Sequence, residues 1–139
     1  MRPVRDLMET DVFWVPSDMP LLNAASELTA RGVSGAPVCD PEGHVIGMLT
    51  KTDLVDFYGS ANEDRFVTDA MTPEVLSVAP DDAADQAVRL MAFEGVHRLL
   101  VIEEGHLVGI VSSMDILREL AGFPRSNRDV PIGIAPPER

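Results

Sequence analysis

The chain has 139 residues, 45% of them hydrophobic and 24% charged, with a net charge of −12. That is the composition of one soluble globular unit, and its acidity excludes nucleic acid as a general partner, because phosphate backbones need a basic face. No apolar run nears the roughly 20 residues of a membrane span, and Cys39 is the single cysteine, so neither membrane contact nor an intrachain disulfide is expected.

The elements follow in chain order. A short turn at residues 5–8 leads to a brief strand at 13–15. Pro16-Ser17-Asp18 then marks a turn and a helix start. Leu21, Ala24, Ala25 and Leu28 share one apolar face, which predicts a helix over 21–31 that ends at Gly32. Two apolar strands, 36–39 and 45–49, flank the hairpin chemistry of Asp40-Pro41-Glu42-Gly43-His44. A second helix spans 51–58. The same order then recurs: a turn at 68–71, a strand at 76–78, Pro80-Asp81-Asp82, and a helix over 84–94 with Ala84, Ala87, Val88 and Met91 on one face. Gly95 ends that helix. Strands at 99–102 and 107–111 and a helix at 113–120 complete the second set.

This recurrence is an internal repeat. Val4-Arg5-Asp6-Leu7-Met8 returns as Val67-Thr68-Asp69-Ala70-Met71, and Ala30-Arg31-Gly32-Val33 as Phe93-Glu94-Gly95-Val96. The stretch from Gly43 to Asp53 returns from Gly105 to Asp115. The offset is 63 positions at first and 62 at the end, so one residue is lost at the Pro41-Glu42 turn. The fold class is α/β (α+β), with two pseudo-symmetric β-α-β-β-α units sharing one core. Residues 1–59 form the first repeat, 60–66 a polar linker and 67–121 the second. Residues 122–139 form a flexible, proline-rich tail. Pockets in such a pair are expected at the seam, where each copy lends residues to the other.

Two junctions carry candidate chemistry. Ser112-Ser113-Met114-Asp115 and Thr50-Lys51-Thr52-Asp53 each lie where a strand turns into a helix, and a helix N-terminus suits phosphate. The same spacing also reads as a capping box with Asp in place of Glu. His97-Arg98 stands where the first repeat has Ser34-Gly35, which makes it the sharpest difference between the copies. Arg98 suits bidentate phosphate contact, although a surface salt bridge would also explain it. The tail carries three arginines against two acids, which leaves the rest of the chain at −13. An anionic ligand therefore needs local cations. His44 and His106 occupy matching hairpin turns without neighbours at ligand spacing, so no metal site is expected. Cys39 reads as a buried structural thiol. Neither a P-loop nor a nucleophile with a positioned base is present, so no enzyme is expected.

The D-x-M openings, the Gly-Val-x-x-x-x-Val segments and the Gly-h-h-[Thr/Ser]-x-x-Asp motifs, each occurring twice in order, resemble a tandem pair of cystathionine-β-synthase (CBS) domains. The resemblance covers residues 3–121 and implies a stand-alone regulatory module in the cytoplasm, without catalysis or a required cofactor. It implies an adenosyl ligand (AMP, ADP, ATP or S-adenosylmethionine), a homodimer, and a regulated partner protein of unknown identity. By this resemblance, one cleft uses Asp115 and Ser112 with His97 and Arg98. Met19, Ala24, Val33 and Ser34 of the first repeat line it, although core packing also explains the apolar three. The pseudo-symmetric cleft uses Asp53, Thr50 and Thr52, lined by Asp82, Ala87 and Val96. It is expected to bind more weakly because Asp82 replaces Met19. A ligand-free dimerisation or protein-interaction module is the alternative.

Overall fold

The computed structural model describes residues 2–58 and 65–122. Most of the expected linker and nearly all of the expected tail lie outside these residues. In chain order the elements are a 3-10 turn at Val4–Asp6, β1 (Val15–Pro16), α1 (Leu21–Arg31), β2 (Gly35–Cys39), β3 (Val45–Thr50) and α2 (Lys51–Tyr58). The second set is α3 (Val67–Ala70), β4 (Ser77–Val78), α4 (Ala84–Glu94), β5 (Arg98–Glu103), β6 (His106–Ser112) and α5 (Ser113–Ala121). Each set forms its own three-stranded sheet, β1-β2-β3 and β4-β5-β6. The first two strands run parallel and the last pair is an antiparallel hairpin. Gly32 and Gly95 end α1 and α4 in the left-handed region at φ 66° and 68°, where glycine pays no steric cost.

The repeats are not separate bodies, because each inserts its opening segment into the other. Val4, Leu7 and Met8 are buried with Val78, Ala87, Leu99, Val101 and Val111 of the second repeat. Reciprocally, Val67 and Ala70 are buried with Val15, Leu28, Val38 and Leu49 of the first. Backbone bonds fix the exchange. Val4 N–H donates to the Asp82 carbonyl over 2.8 Å, and Val67 N–H to the Met19 carbonyl over 2.9 Å. Glu9 and Ile110 exchange two backbone bonds, as do Thr72 and Met48, so each sheet gains an edge residue from the other copy.

The exchange also explains how α1 and α4 begin. The Asp-rich turns supply no side-chain cap, and Pro20 and Ala83 stand at the N-cap positions. Leu21 N–H instead donates to the Arg65 carbonyl over 2.8 Å, and Ala84 N–H to the Arg2 carbonyl over 3.0 Å. The first N–H of each helix is thus taken by a carbonyl of the visiting segment, while the Asn23 and Gln86 N–H groups bond to the carbonyls of Pro20 and Ala83.

Close approach of that segment requires glycine. A Cβ on Gly109 would lie 2.7 Å from Met8 Sδ and 2.8 Å from the Glu9 carbonyl oxygen. A Cβ on Gly47 would lie 2.8 Å from both Met71 Sδ and the Thr72 carbonyl oxygen. The pseudo-two-fold axis passes between His44 and His106, whose ring centroids are 4.5 Å apart. Val45 N–H donates to the Gly105 carbonyl over 3.0 Å beside them.

Leu7→Ala should lower stability by about 2–5 kcal/mol, the usual cost of emptying a buried leucine site. Amide hydrogen exchange should place the lost protection in β5 and β6, remote in sequence. Loss confined to residues near the N-terminus would contradict the exchanged core.

Candidate functional site

Both strand-to-helix junctions close as capping boxes. Ser112 N–H donates to Asp115 Oδ2 over 2.8 Å, and Asp115 N–H donates back to Ser112 Oγ over 3.2 Å. Thr50 N–H donates to Asp53 Oδ2 over 2.9 Å, and Asp53 N–H donates to Thr50 Oγ1 over 3.2 Å. The capping arrangement that the sequence left open against ligand contact is therefore formed at both places.

The two junctions differ in what surrounds the carboxylate. Asp115 is only 9% exposed, and its Oδ1 lies 3.8 Å from Arg118 Nη1. Asp53 is half-buried, and its Oδ1 accepts the Thr72 hydroxyl over 3.1 Å. Asp56 occupies the position in α2 that Arg118 holds in α5. The Arg118 guanidinium thus stands beside Oδ1, the oxygen of Asp115 that the capping box leaves open.

Arg98 lies directly opposite Ser112 in the β5–β6 register, and the His97 carbonyl accepts Ser113 N–H over 2.9 Å. His97, Arg98, Ser112 and Asp115 thus gather at the N-terminus of α5. Both His97 and Arg98 have exposed side chains, and among the described residues Arg98 makes no ion pair. The salt bridge that would have explained Arg98 structurally is not formed there. In the first repeat, Ser34 is exposed and its carbonyl accepts Lys51 N–H over 2.9 Å, the counterpart of His97 and Ser113.

The other residues assigned from sequence sit as follows. Met19 and Val33 pack against the core of the first repeat, and Val96 against that of the second. Ala24 and Ala87 are fully buried in those cores and have no surface to offer a ligand. Asp82 Oδ2 accepts the Ala79 N–H over 2.8 Å, which closes a local turn. Thr52 is exposed on α2.

Two cavities lie elsewhere, and none of the residues assigned from sequence lines either. One, of about 300 Å³, sits at the seam between Thr10, Val12, Trp14 and Cys39 of the first repeat and His106, Val108 and Gly109 of the second. The other, of about 420 Å³, is an apolar groove between α1 and α2. A seam location was expected; the lining was not, because Thr10 and Gly109 meet only through the exchanged segment. Burial, and then the Asp40 carboxylate, push the Cys39 thiol above its ordinary pKa. Among the described residues no group of three or more metal-ligating side chains is gathered, and no helix is long and apolar enough to cross a membrane.

Comparison with known proteins places this geometry. The CBS domain signature matches residues 4–60 and again residues 67–122. The chain belongs to the CBS domain family. Its two CBS domains form a tandem pair. An uncharacterised protein of Methanocaldococcus jannaschii is 29% identical over 119 residues, which cover 85% of this chain and 42% of that protein. The inosine-5′-monophosphate dehydrogenase of Bifidobacterium longum is 34% identical over 125 residues, 88% of this chain and 23% of the enzyme. The chain thus spans less than half of each of these relatives.

Solved structures share the fold of the CBS pair. Hypoxic Response Protein I, determined with two coordinated zinc ions, has a TM-score of 0.76 at 26% identity, covering 86% of this chain and 99% of that one. CBSX2 in complex with AMP has a TM-score of 0.76 at 24% identity, with 88% and 98% covered. A CBS pair holding 5′-methylthioadenosine and S-adenosyl-L-methionine has a TM-score of 0.71 at 23% identity, with 88% and 98% covered.

Cys39 is buried, and burial and then Asp40 raise its thiol pKa, both of which make it a poor nucleophile. Alkylation by iodoacetamide at pH 7 should therefore be much slower than for an exposed thiol, and should accelerate on adding denaturant. Fast alkylation of the folded chain would contradict this placement.

Proposed function

We propose that this CBS pair is a regulatory module that binds an adenine nucleotide or another adenosyl ligand and passes the resulting change to a partner protein. Within it, residues 1–59 and 67–121 act as the two repeats, joined by 60–66, with 122–139 as a tail. The observation that carries the reading is Arg98: an exposed cation, without an ion pair among the described residues, facing Ser112 at the N-terminus of α5. In a chain of net charge −12, that junction combines a guanidinium with a helix N-terminus, the two features that hold phosphate. Complexes of two structural neighbours with AMP and with S-adenosyl-L-methionine support the ligand class.

The residues divide the work. Arg98 and His97 meet the phosphates, Ser112 adds a hydroxyl, and Asp115 takes the ribose hydroxyls. Met19, Val33 and Ser34 supply the other wall. The Asp53 junction, with Asp56 in place of a guanidinium and Asp82 on its lining, is the weaker site for an anion. The module works in the cytoplasm and without catalysis. It transmits a signal only as far as the ligand prefers one arrangement of the two repeats over another.

The closed cap at Asp115 favours a second reading, a ligand-free interaction module in which Ser112 and Asp115 serve α5 alone. Both readings include a homodimer. Val88, Leu117 and Leu120 leave apolar surface exposed on the outer side of α4 and α5, and a second copy would cover it.

Thermal-shift titration with AMP, ADP, ATP and S-adenosylmethionine separates the readings. Saturation to 100 times the dissociation constant adds about 2.7 kcal/mol of stability. Arg98→Glu should remove the response to phosphorylated ligands and spare adenosine. Asp115→Ala should weaken α5 under both readings, but abolish ligand response only under the first. No response to any of the four would leave the interaction module.

For the dimer, Leu117→Lys with Leu120→Lys should shift the light-scattering mass from two copies to one. An unchanged mass would place the contact elsewhere.

A further inference from the structure

The two junction aspartates use their carboxylate oxygens alike, and the chain then treats them differently. In each capping box Oδ2 accepts a backbone N–H, from Thr50 at Asp53 and from Ser112 at Asp115. At Asp53 the other oxygen receives a hydroxyl: Thr72 Oγ1 donates to Oδ1 over 3.1 Å. Thr72 is brought there by the exchanged segment, which its backbone pins to Met48. The offset of the repeat carries Thr72 onto Glu9, pinned in the same way to Ile110. An ionised glutamate accepts hydrogen bonds and has no hydroxyl to donate. At this position the chain therefore supplies a hydroxyl to Asp53 and none to Asp115.

Beside Asp115 Oδ1 stands Arg118 instead, one turn along the same face of α5. The two side chains are only 10% and 7% exposed, yet Nη1 and Oδ1 are 3.8 Å apart, too far for a direct hydrogen bond. Among the described residues Arg118 makes no hydrogen bond, and no side-chain nitrogen is sealed off without one, so its donors keep a narrow opening. A guanidinium covered to this extent is costly until its donors are met. The spacing suits one bridging oxygen. An oxygen about 2.8 Å from both Nη1 and Oδ1 would see them about 85° apart, within reach of a hydroxyl that accepts from one and donates to the other. A phosphate or carbonyl oxygen only accepts, and the Asp115 carboxylate would repel it.

Building on the reading of Asp115 as the ribose contact, we infer that Asp115 Oδ1 and Arg118 Nη1 together hold one ribose hydroxyl of the ligand, and that Arg118 sets the preference for a ribonucleotide over its deoxy analogue. The hydroxyl donates to the carboxylate and accepts from the guanidinium. A ligand without it leaves two covered charges unbridged, which is the condition for strong discrimination. At Asp53 the matching oxygen is already held by Thr72, so that junction has no equivalent of the bridge.

Isothermal titration of the full chain with AMP and with 2′,3′-dideoxy-AMP tests the bridge. The parent should bind AMP at least about tenfold more tightly than the dideoxy analogue, the usual effect of losing hydrogen bonds to charged groups. Arg118→Met should weaken AMP by about tenfold and hold the dideoxy analogue within about twofold, so that the ratio contracts. Arg118→Lys, which keeps a charge and donors, should restore part of the ratio. Melting curves without ligand report that each variant is folded, and the comparison within the parent needs no variant at all. Equal weakening of both ligands by Arg118→Met is the mark of a merely structural residue and would overturn the role of Arg118, as would an unchanged ratio. A parent that binds AMP and the dideoxy analogue equally would overturn the bridge and leave the adenosyl reading standing. A parent that binds neither would overturn both.

Discussion

The structure rests on one reciprocal exchange: residues 4–8 complete the core of the second repeat, and residues 67–71 complete that of the first. Neither unit of about sixty residues could bury enough apolar surface to be secure alone. Crossing the openings joins two marginal cores into one cooperative body. The exchange also governs local details that look unrelated. It supplies acceptors for the first N–H groups of α1 and α4, adds an edge to each sheet, and requires glycine at 47 and 109. It further means that a change in one repeat is felt in the packing of the other.

Pseudo-symmetry then sets up pairs of sites, and single substitutions make them unlike. The α2 and α5 junctions share a capping box, but only α5 has a guanidinium three residues after the aspartate and an arginine on the facing strand. The same logic operates on the outer helices, where exchanging Glu119 for Phe57 turns an ion pair into a cation over an aromatic ring. In both cases the backbone is kept and the electrostatics are changed. Duplicated folds can acquire distinct ligands this way without a new architecture.

Acidity gives these few cations their weight. At net −12, most arginines among the described residues find carboxylates, as Arg31 does with Glu27 and Arg89 with Asp85. Arg98 has none among the described residues. Its isolation matters because the surrounding field repels anions, so an anion can settle only where cations and helix N-termini converge.

The sequence by itself determined the elements and their order. Apolar periodicity in Leu21, Ala24 and Leu28 and again in Ala84, Ala87 and Met91, with Gly32 and Gly95 behind them, placed both helices where they stand. The repeat and its motifs were enough for the family. They also singled out Ser112, Asp115, His97 and Arg98, which do gather at one helix end, because neighbours on adjoining strand ends follow from hairpin register. Tertiary structure decided everything that depends on contact between distant segments. Ala24 and Ala87 carry helical periodicity whether they face a ligand or a core, and only packing put them fully inside. That His44 would meet His106 follows from their place on a symmetry axis, which no local pattern reveals. The cavity walls at Thr10, Trp14 and Gly109 arise only after the openings have crossed. Periodicity reports which face of an element is apolar; it does not report which partner covers that face.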